Sequence, residues 1–154
     1  MNIVKNIDQY DINCIYFCEP IKNTIMNEGM FVRILYSTPN FILNGVNLAL
    51  ELFDVNVEKY YNKYKCVFNI HTHRELIEQI RLIEESILKK INSKNKITSH
   101  KIYEQLKNGN IKLFSETMTI DKSTNHLFML KISGIWETET QLGLTFKFIK
   151  INHP

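Results

Sequence analysis

The sequence predicts a mainly β protein with a helical insertion, and three observations indicate this class. Stretches in which apolar and polar residues alternate, which is typical of strands with one buried face, lie on both sides of the middle of the chain. One long stretch between them changes to the three- and four-residue spacing of an amphipathic helix. Turn-forming residues at 37–40 and 121–125 separate alternating stretches.

Six segments carry the strand pattern. Each combines β-branched or aromatic residues with the two-residue period of a pleated strand. The predicted strands are 31–36, 41–53, 63–70, 110–118, 127–136 and 143–151. Gly45 lies inside the second of them and predicts a bulge or a bend. Gly134 predicts a break or bend in the fifth.

Two segments carry the helix pattern. Residues 74–92 form a long amphipathic helix, whose apolar positions are Leu76, Ile80, Ile83, Ile87 and Ile91. Thr72 and Glu75 have the spacing of a capping box at its start. A shorter helix is predicted over 99–107, with Ser99 or Thr98 as its cap and Gly109 just past its end.

The order of these segments is three strands, a helical insertion, then two or three strands. A five- to six-stranded barrel of the oligonucleotide-binding (OB) type, with one long helix between the third and fourth strands, has this order. An α+β sandwich gives the same string and stays open as an alternative. No repeat or linker divides the chain, so residues 1–154 are interpreted as one OB-like domain.

Positive charge is concentrated in the middle of the chain. Residues 59–112 contain twelve Lys or Arg against five Asp or Glu, whereas residues 1–58 contain three against seven. Such a block is typical of a nucleic-acid footprint, and a solvated helix face is the alternative. The bias of the chain toward Lys, Asn and Ile also reflects base composition in AT-rich genomes and weakens the lysine signal.

No residue pattern predicts an enzyme, a metal site or a cofactor. The sequence has no phosphate-binding loop, nucleophile elbow or zinc-protease motif. His71 and His73 form a close pair that lacks a third ligand. Glu84 and Glu85 are predicted to be solvated, and Glu137 and Glu139 could only weakly suggest an acid/base pair. The three cysteines favour free thiols in a reducing compartment.

Cations and aromatic residues alternate in and around the basic block. Cations can follow the phosphates of a single strand while flat rings stack on its bases. The predicted nucleic-acid-binding residues are Arg33, Tyr36, Lys59, Tyr61, Lys63, Lys65, Lys112, Phe114, Lys131 and Lys147. Phe68, Phe128, Phe146 and Phe148 are expected to be mostly buried. Trp136 is interpreted as a core anchor at the mouth of the barrel, with a stacking role as the alternative.

Three segments resemble a known group of proteins. They are Leu-Lys-Ile-Ser-Gly-Ile-Trp at 130–136, Gly-Leu-Thr-Phe-Lys-Phe-Ile-Lys-Ile at 143–151, and Lys-Ile-Tyr-Glu-Gln-Leu-Lys-Asn-Gly-Asn-Ile-Lys at 101–112. They resemble the single-stranded DNA-binding proteins of nucleocytoplasmic large DNA viruses. That group is similar to podophage proteins with an OB fold and a helical insertion. The podophage proteins end in an acidic tail closed by an aromatic residue, whereas residues 150–154 here contain no acid.

The resemblance implies cooperative coating of single-stranded DNA during viral replication or recombination. Self-association and contacts with viral replication proteins are compatible with this role, and no membrane contact or cofactor is expected. With no signal peptide or membrane-spanning run of apolar residues, the expected location is the host cytoplasm or a viral factory. The alternative is a virion structural or scaffold module without nucleic-acid affinity. It predicts an exposed apolar patch and allows the lysines to scatter, whereas DNA binding requires the cations of strands 31–36, 63–70 and 110–114 to converge on one groove.

Overall fold

A computed structural model of the chain describes residues 5–22, 29–61, 63–92, 94–113 and 125–151. These residues form a mainly β structure with two α-helices and mixed sheets. The strands are β1 (Lys5–Asn6), β2 (Ile15–Phe17), β3 (Ile21–Lys22), β4 (Met30–Ser37), β5 (Ile42–Asn44), β6 (Val46–Leu52), β7 (Asn56–Tyr60), β8 (Lys63–Val67), β9 (Ile97–Ser99), β10 (Asn110–Leu113), β11 (His126–Glu137) and β12 (Gln141–Ile151). The helices are α1 (Arg74–Ile91) and α2 (Lys101–Lys107).

The main sheet is built around the hairpin of β11 and β12. The first part of β11 pairs with β6 and its last part pairs with β4, both antiparallel. Strands β2, β3 and β5 pair with β4, while β1 and β9 pair in parallel with β6 and β12. The register of the hairpin shifts between Ile132 and Gly134. This irregularity confirms the predicted break near Gly134. Strand β11 pairs with β6 before the shift and with β4 after it.

Gly45 divides the predicted strand 41–53 into β5 and β6. Its φ of 81° lies in the left-handed region, and a Cβ there would lie 2.6 Å from the carbonyl oxygen of Ile132. Only glycine fits both conditions without strain. The predicted bend is therefore confirmed, and it sends β5 to β4 and β6 to β11.

A separate three-stranded antiparallel sheet has the order β10-β8-β7. Tyr64, Cys66, Ile111 and Leu113 are buried on one face of β8 and β10. The predicted strands 63–70 and 110–118 contribute to this sheet, although residues 114–118 lie outside the described residues. Strand β7 was not predicted, because its sequence Asn-Val-Glu-Lys-Tyr contains little apolar alternation.

Both predicted helices are present, but their predicted caps are wrong. The buried positions of α1 include Ile80, Ile83 and Ile87, as the spacing indicates. However, His73 is the N-cap residue of α1, and Thr72 donates its hydroxyl to the Asn69 carbonyl instead. Helix α2 begins after His100, without a side-chain cap from its own flanking residues. Gly109, with a φ of 77°, follows α2 as predicted.

The described residues do not form a closed barrel, and their strand count exceeds five or six. Nine strands join in one sheet and three in another. The sequence pattern missed the shortest strands, since two or three residues are too few to show a period. None of the described helices combines the length and apolar character needed to cross a bilayer.

Candidate functional site

The three-stranded sheet places lysines from different parts of the chain side by side. The register pairs Lys112 with Lys65 and Lys65 with Glu58, so these three residues form one cross-strand row. Tyr64 and Cys66 alternate with Lys65 along β8 and are buried on the opposite face. Burial of one face therefore forces the lysines of β8 and β10 to the other.

Two adjoining depressions lie over these lysines. The first has a volume of about 470 Å³ and is lined by Glu58, Lys59, Lys63, Tyr64, Lys65 and Lys112. The second has a volume of about 370 Å³ and is lined by Lys65, Lys101, Glu104, Gln105, Asn108, Asn110, Lys112 and Phe146. Because Lys65 and Lys112 line both depressions, we treat the two as one surface, the lysine groove.

The lysine groove has an excess of positive charge. Five lysines line it against two glutamates. Lys101 lies 3.5 Å from Glu104 in an exposed ion pair, which offsets one of these charges. Within the described part of the chain, neither Lys65 nor Lys112 forms an ion pair. Neighbouring ammonium groups without carboxylate partners repel one another and attract a polyanion.

Helix α2 is held against α1 by a buried carboxylate. Glu84 is 0% exposed, and its two oxygens accept the amide N–H groups of Ile102 and Tyr103 at 3.1 and 3.0 Å. Glu84 thus caps the first turn of α2 from another helix. Burial raises the pKa of this carboxyl, and the two backbone hydrogen bonds only partly offset that effect. The prediction that Glu84 is solvated is wrong, whereas Glu85 is partly exposed.

The predicted aromatic contacts have three outcomes. Tyr61 is 82% exposed at the turn between β7 and β8, beside Lys63. Tyr36 is only 2% exposed and its hydroxyl contacts the backbone of Asp11 and Gln9, so the prediction that it stacks on bases is wrong. Phe114 lies outside the described residues.

Among the phenylalanines expected in the core, three are buried and one reaches the groove. Phe68, Phe128 and Phe148 are buried, as predicted. Phe146 is half-buried and lines the second depression. It therefore presents part of its ring to the groove.

The predicted cations separate into two groups. Lys59, Lys63, Lys65 and Lys112 line the lysine groove. Arg33, Lys131 and Lys147 lie in the main sheet and line neither depression. The structure thus brings together the cations of the three-stranded sheet and leaves those of the main sheet apart.

Sequence reasoning missed the contribution of α2 to the groove. Lys101, Gln105 and Asn108 are four and three residues apart, so they share one helix face, which is different from the face that buries Ile102 and Leu106. This spacing was visible in the sequence. However, the sequence pattern alone does not show which strand α2 packs beside, so it could not place this helix face at the groove.

The other candidate residues have structural contacts. His73 is 3% exposed; its Nε2 accepts the Phe53 N–H at 2.9 Å, and its Nδ1 donates to the Asn69 carbonyl at 2.7 Å. Both ring nitrogens are therefore occupied. Glu137 accepts from Lys96 Nζ at 2.5 Å. No group of three metal-ligating side chains lies together in the part of the chain that the structure describes.

Comparisons with protein-family models, with curated proteins and with solved structures find no match to this chain.

Proposed function

We propose that this protein binds single-stranded DNA without sequence preference and protects it during viral replication or recombination. The observation that carries the proposal is the convergence of Lys59, Lys63, Lys65 and Lys112 on one depression. These residues come from three strands and from positions up to 53 residues apart in the chain. Lys63, Lys65 and Lys112 share one face of the three-stranded sheet, whereas Lys59, which pairs with Tyr64, belongs to the other face and still lines the same depression. A sequence-independent ligand with regularly spaced negative charges fits that surface.

Aromatic residues near the groove favour a single strand over a duplex. Tyr61 presents an exposed ring at the tip of the β7–β8 hairpin, and Phe146 presents part of its ring in the second depression. Stacking requires base faces that a duplex keeps covered and a single strand exposes. Phosphates would contact the lysines between these two rings.

The cations of strands 63–70 and 110–114 converge as DNA binding requires, whereas Arg33 of strand 31–36 lies outside the groove. The convergence of the groove lysines supports the nucleic-acid proposal over the virion scaffold alternative, which allowed the lysines to scatter. An OB-like barrel is also part of the proposal. Its support is the packing of β10 and α2 against β12, which brings the three-stranded sheet beside the main sheet. An experimental structure with backbone pairing between the two sheets would support the barrel, and two separate sheets would exclude it.

The test is a titration of labelled oligo-dT by fluorescence anisotropy at several salt concentrations. Each phosphate contact on a single strand contributes about 0.7 to the slope of log affinity against log salt, so four lysines give a slope of about −3. The double variant Lys65→Ala/Lys112→Ala should reduce the magnitude of that slope by about 1.4. Its affinity at low salt should fall about tenfold or more.

A matched control removes the same charge elsewhere. Lys89 and Lys94 are exposed and line neither depression, so Lys89→Ala/Lys94→Ala should leave the slope unchanged. Equal losses of oligo-dT affinity in the two double variants, or an affinity that does not change with salt, would contradict the proposal. A parallel titration with oligo-U tests the assignment to DNA, and tighter binding to oligo-U would assign RNA instead.

A further inference from the structure

Arg33, Lys131 and Lys147, the three predicted cations that lie outside the lysine groove, share one face of the main sheet. Residues paired directly across antiparallel strands point to the same side. Three successive pairs concern this face: Phe31–Trp136, Arg33–Gly134 and Lys131–Lys147. On β12 these pairs meet residues 143, 145 and 147, which alternate to the side opposite the buried Leu142 and Leu144.

Two aromatic rings on this face lie directly over glycines. A Cβ at Gly143 would lie 2.5 Å from Cζ2 of Trp136, and one at Gly134 would overlap the ring of Phe31. The two rings are half-buried. Each ring is therefore in contact with the sheet backbone and still partly open to solvent. The glycines hold both rings close to the sheet, on the two neighbouring strands that pair Phe31 with Trp136.

The charge around these rings is positive. Arg33 and Lys147 are exposed and Lys131 is half-buried. The three pairs contain no carboxylate. Residues 143 and 147 are four positions apart, so the rings and the lysines are separated by about 13 Å along β12. This spacing places cations within reach of the backbone of a strand whose bases contact the rings.

The face adjoins the lysine groove across β12. Phe146 lines the groove, and Lys147 is the next residue and points to the opposite side of the strand. Among the described residues, β12 beyond Gly143 pairs only with β11, and β10 packs against β12 without pairing with it. A nucleic acid that leaves the groove at Phe146 next meets Lys147 on the same strand.

We propose that Phe31, Trp136, Arg33, Lys131 and Lys147, the aromatic face, form a second contact surface for the same single-stranded DNA. Bases stack on Trp136 and Phe31, while phosphates contact Arg33 and Lys147. This inference rests on the proposed function, because it extends the path of the strand from the lysine groove. It assigns to Trp136 a ligand contact in addition to its packing on Gly143.

The chain contains one tryptophan, so its fluorescence reports on the aromatic face alone. Wild-type protein is titrated with labelled oligo-dT of about 20 nucleotides, longer than the roughly 4–16 that one small barrel covers. Anisotropy of the label reports binding anywhere on the protein. Quenching of Trp136 emission, saturating at the same DNA concentration, is the expected result.

Two variants separate the surfaces. Arg33→Gln/Lys147→Gln should lower the magnitude of the salt slope by about 1.4, and it leaves both rings in place. Trp136→Leu should weaken binding about tenfold, since stacking on one aromatic ring is lost. Trp136 also packs on Gly143, so Trp136→Leu could fail to fold. In that case Arg33→Gln/Lys147→Gln, which changes only exposed cations, still tests the aromatic face.

Binding in anisotropy with unchanged tryptophan emission would overturn the aromatic face and leave the lysine groove intact. Absence of binding in both signals would overturn the proposed function and this inference with it. A change of emission with protein concentration alone, without DNA, would show that a second copy of the chain covers this face, and would also overturn the inference.

Discussion

Replacing Glu84 by Gln removes one of the two acceptors that hold the first turn of α2. In the wild-type protein, the two carboxylate oxygens accept the N–H groups of Ile102 and Tyr103. Glutamine supplies one carbonyl oxygen, and its NH₂ group faces the other N–H donor. Because the site is fully buried, water cannot satisfy that donor. The variant keeps the size of the side chain, so the packing of α1 against α2 is preserved.

The expected loss follows from the unsatisfied donor. A buried N–H without a partner costs about 1–3 kcal/mol, and relief of the carboxylate's desolvation offsets part of it. We therefore expect the free energy of unfolding to fall by about 1–2 kcal/mol near neutral pH. For a domain of this size that corresponds to a decrease of about 3–6 °C in melting temperature. Glu85→Gln is the matched control, and its partly exposed ion pairs with Arg81 and Lys89 should be worth less than about 1 kcal/mol.

The pH dependence gives a second readout. Burial raises the pKa of Glu84 above the ordinary value of 4.5, so the folded protein binds this proton more tightly than the unfolded chain. The contribution of this carboxyl to stability is then fully present below its ordinary pKa and decreases as pH rises through the folded pKa. The difference in unfolding free energy between wild type and Glu84→Gln should be larger near pH 4 than near pH 7.

Urea unfolding of both proteins at the two pH values measures this difference. Equal unfolding free energies of wild type and Glu84→Gln at both pH values would refute the role of Glu84 as the cap of α2. A difference that widens as pH rises would refute the raised pKa. Since Lys101 begins α2, the variant should also weaken oligo-dT binding, by less than Lys65→Ala/Lys112→Ala does.

Two further variants test single residues. Tyr61 has a φ of 56°, so Tyr61→Asn should raise the unfolding free energy by about 1 kcal/mol while weakening oligo-dT binding about tenfold. Urea unfolding measures the change in stability, and anisotropy measures the change in binding. A loss of both would contradict the inference that the positive φ of Tyr61 strains the turn. Gly143→Ala should displace the indole of Trp136, cost about 1–3 kcal/mol and shift tryptophan emission. Unchanged emission would show that the ring does not lie over Gly143.

The sequence predicted the elements whose pattern is long enough to show a period. Helix α1 spans Arg74–Ile91 against a predicted 74–92, because five apolar positions repeat along it. Strands β11 and β12 were also predicted, although both are longer than expected. Strand β7 was missed, because an edge strand needs little apolar character.

The candidate site was predicted in part, for a similar reason. Lys63 and Lys65 alternate with buried residues of one strand, so their shared side followed from the sequence. Lys112 required the pairing of β10 with β8, and Lys101 required the docking of α2 beside them. Tyr36 illustrates the opposite case, because an aromatic residue in a strand gives the same pattern whether it packs in the core or faces a ligand.

By itself, the sequence determined the mainly β class, the long amphipathic helix, the bend at Gly45 and the basic middle of the chain. These properties depend on neighbouring residues, and local spacing expresses them directly. Only the tertiary structure decided that Lys65 and Lys112 share a groove, that Glu84 caps α2, and that Arg33, Lys131 and Lys147 share a face of the main sheet. Those relations depend on strand pairing and helix docking between distant segments, where burial of apolar faces rather than local pattern selects the partners.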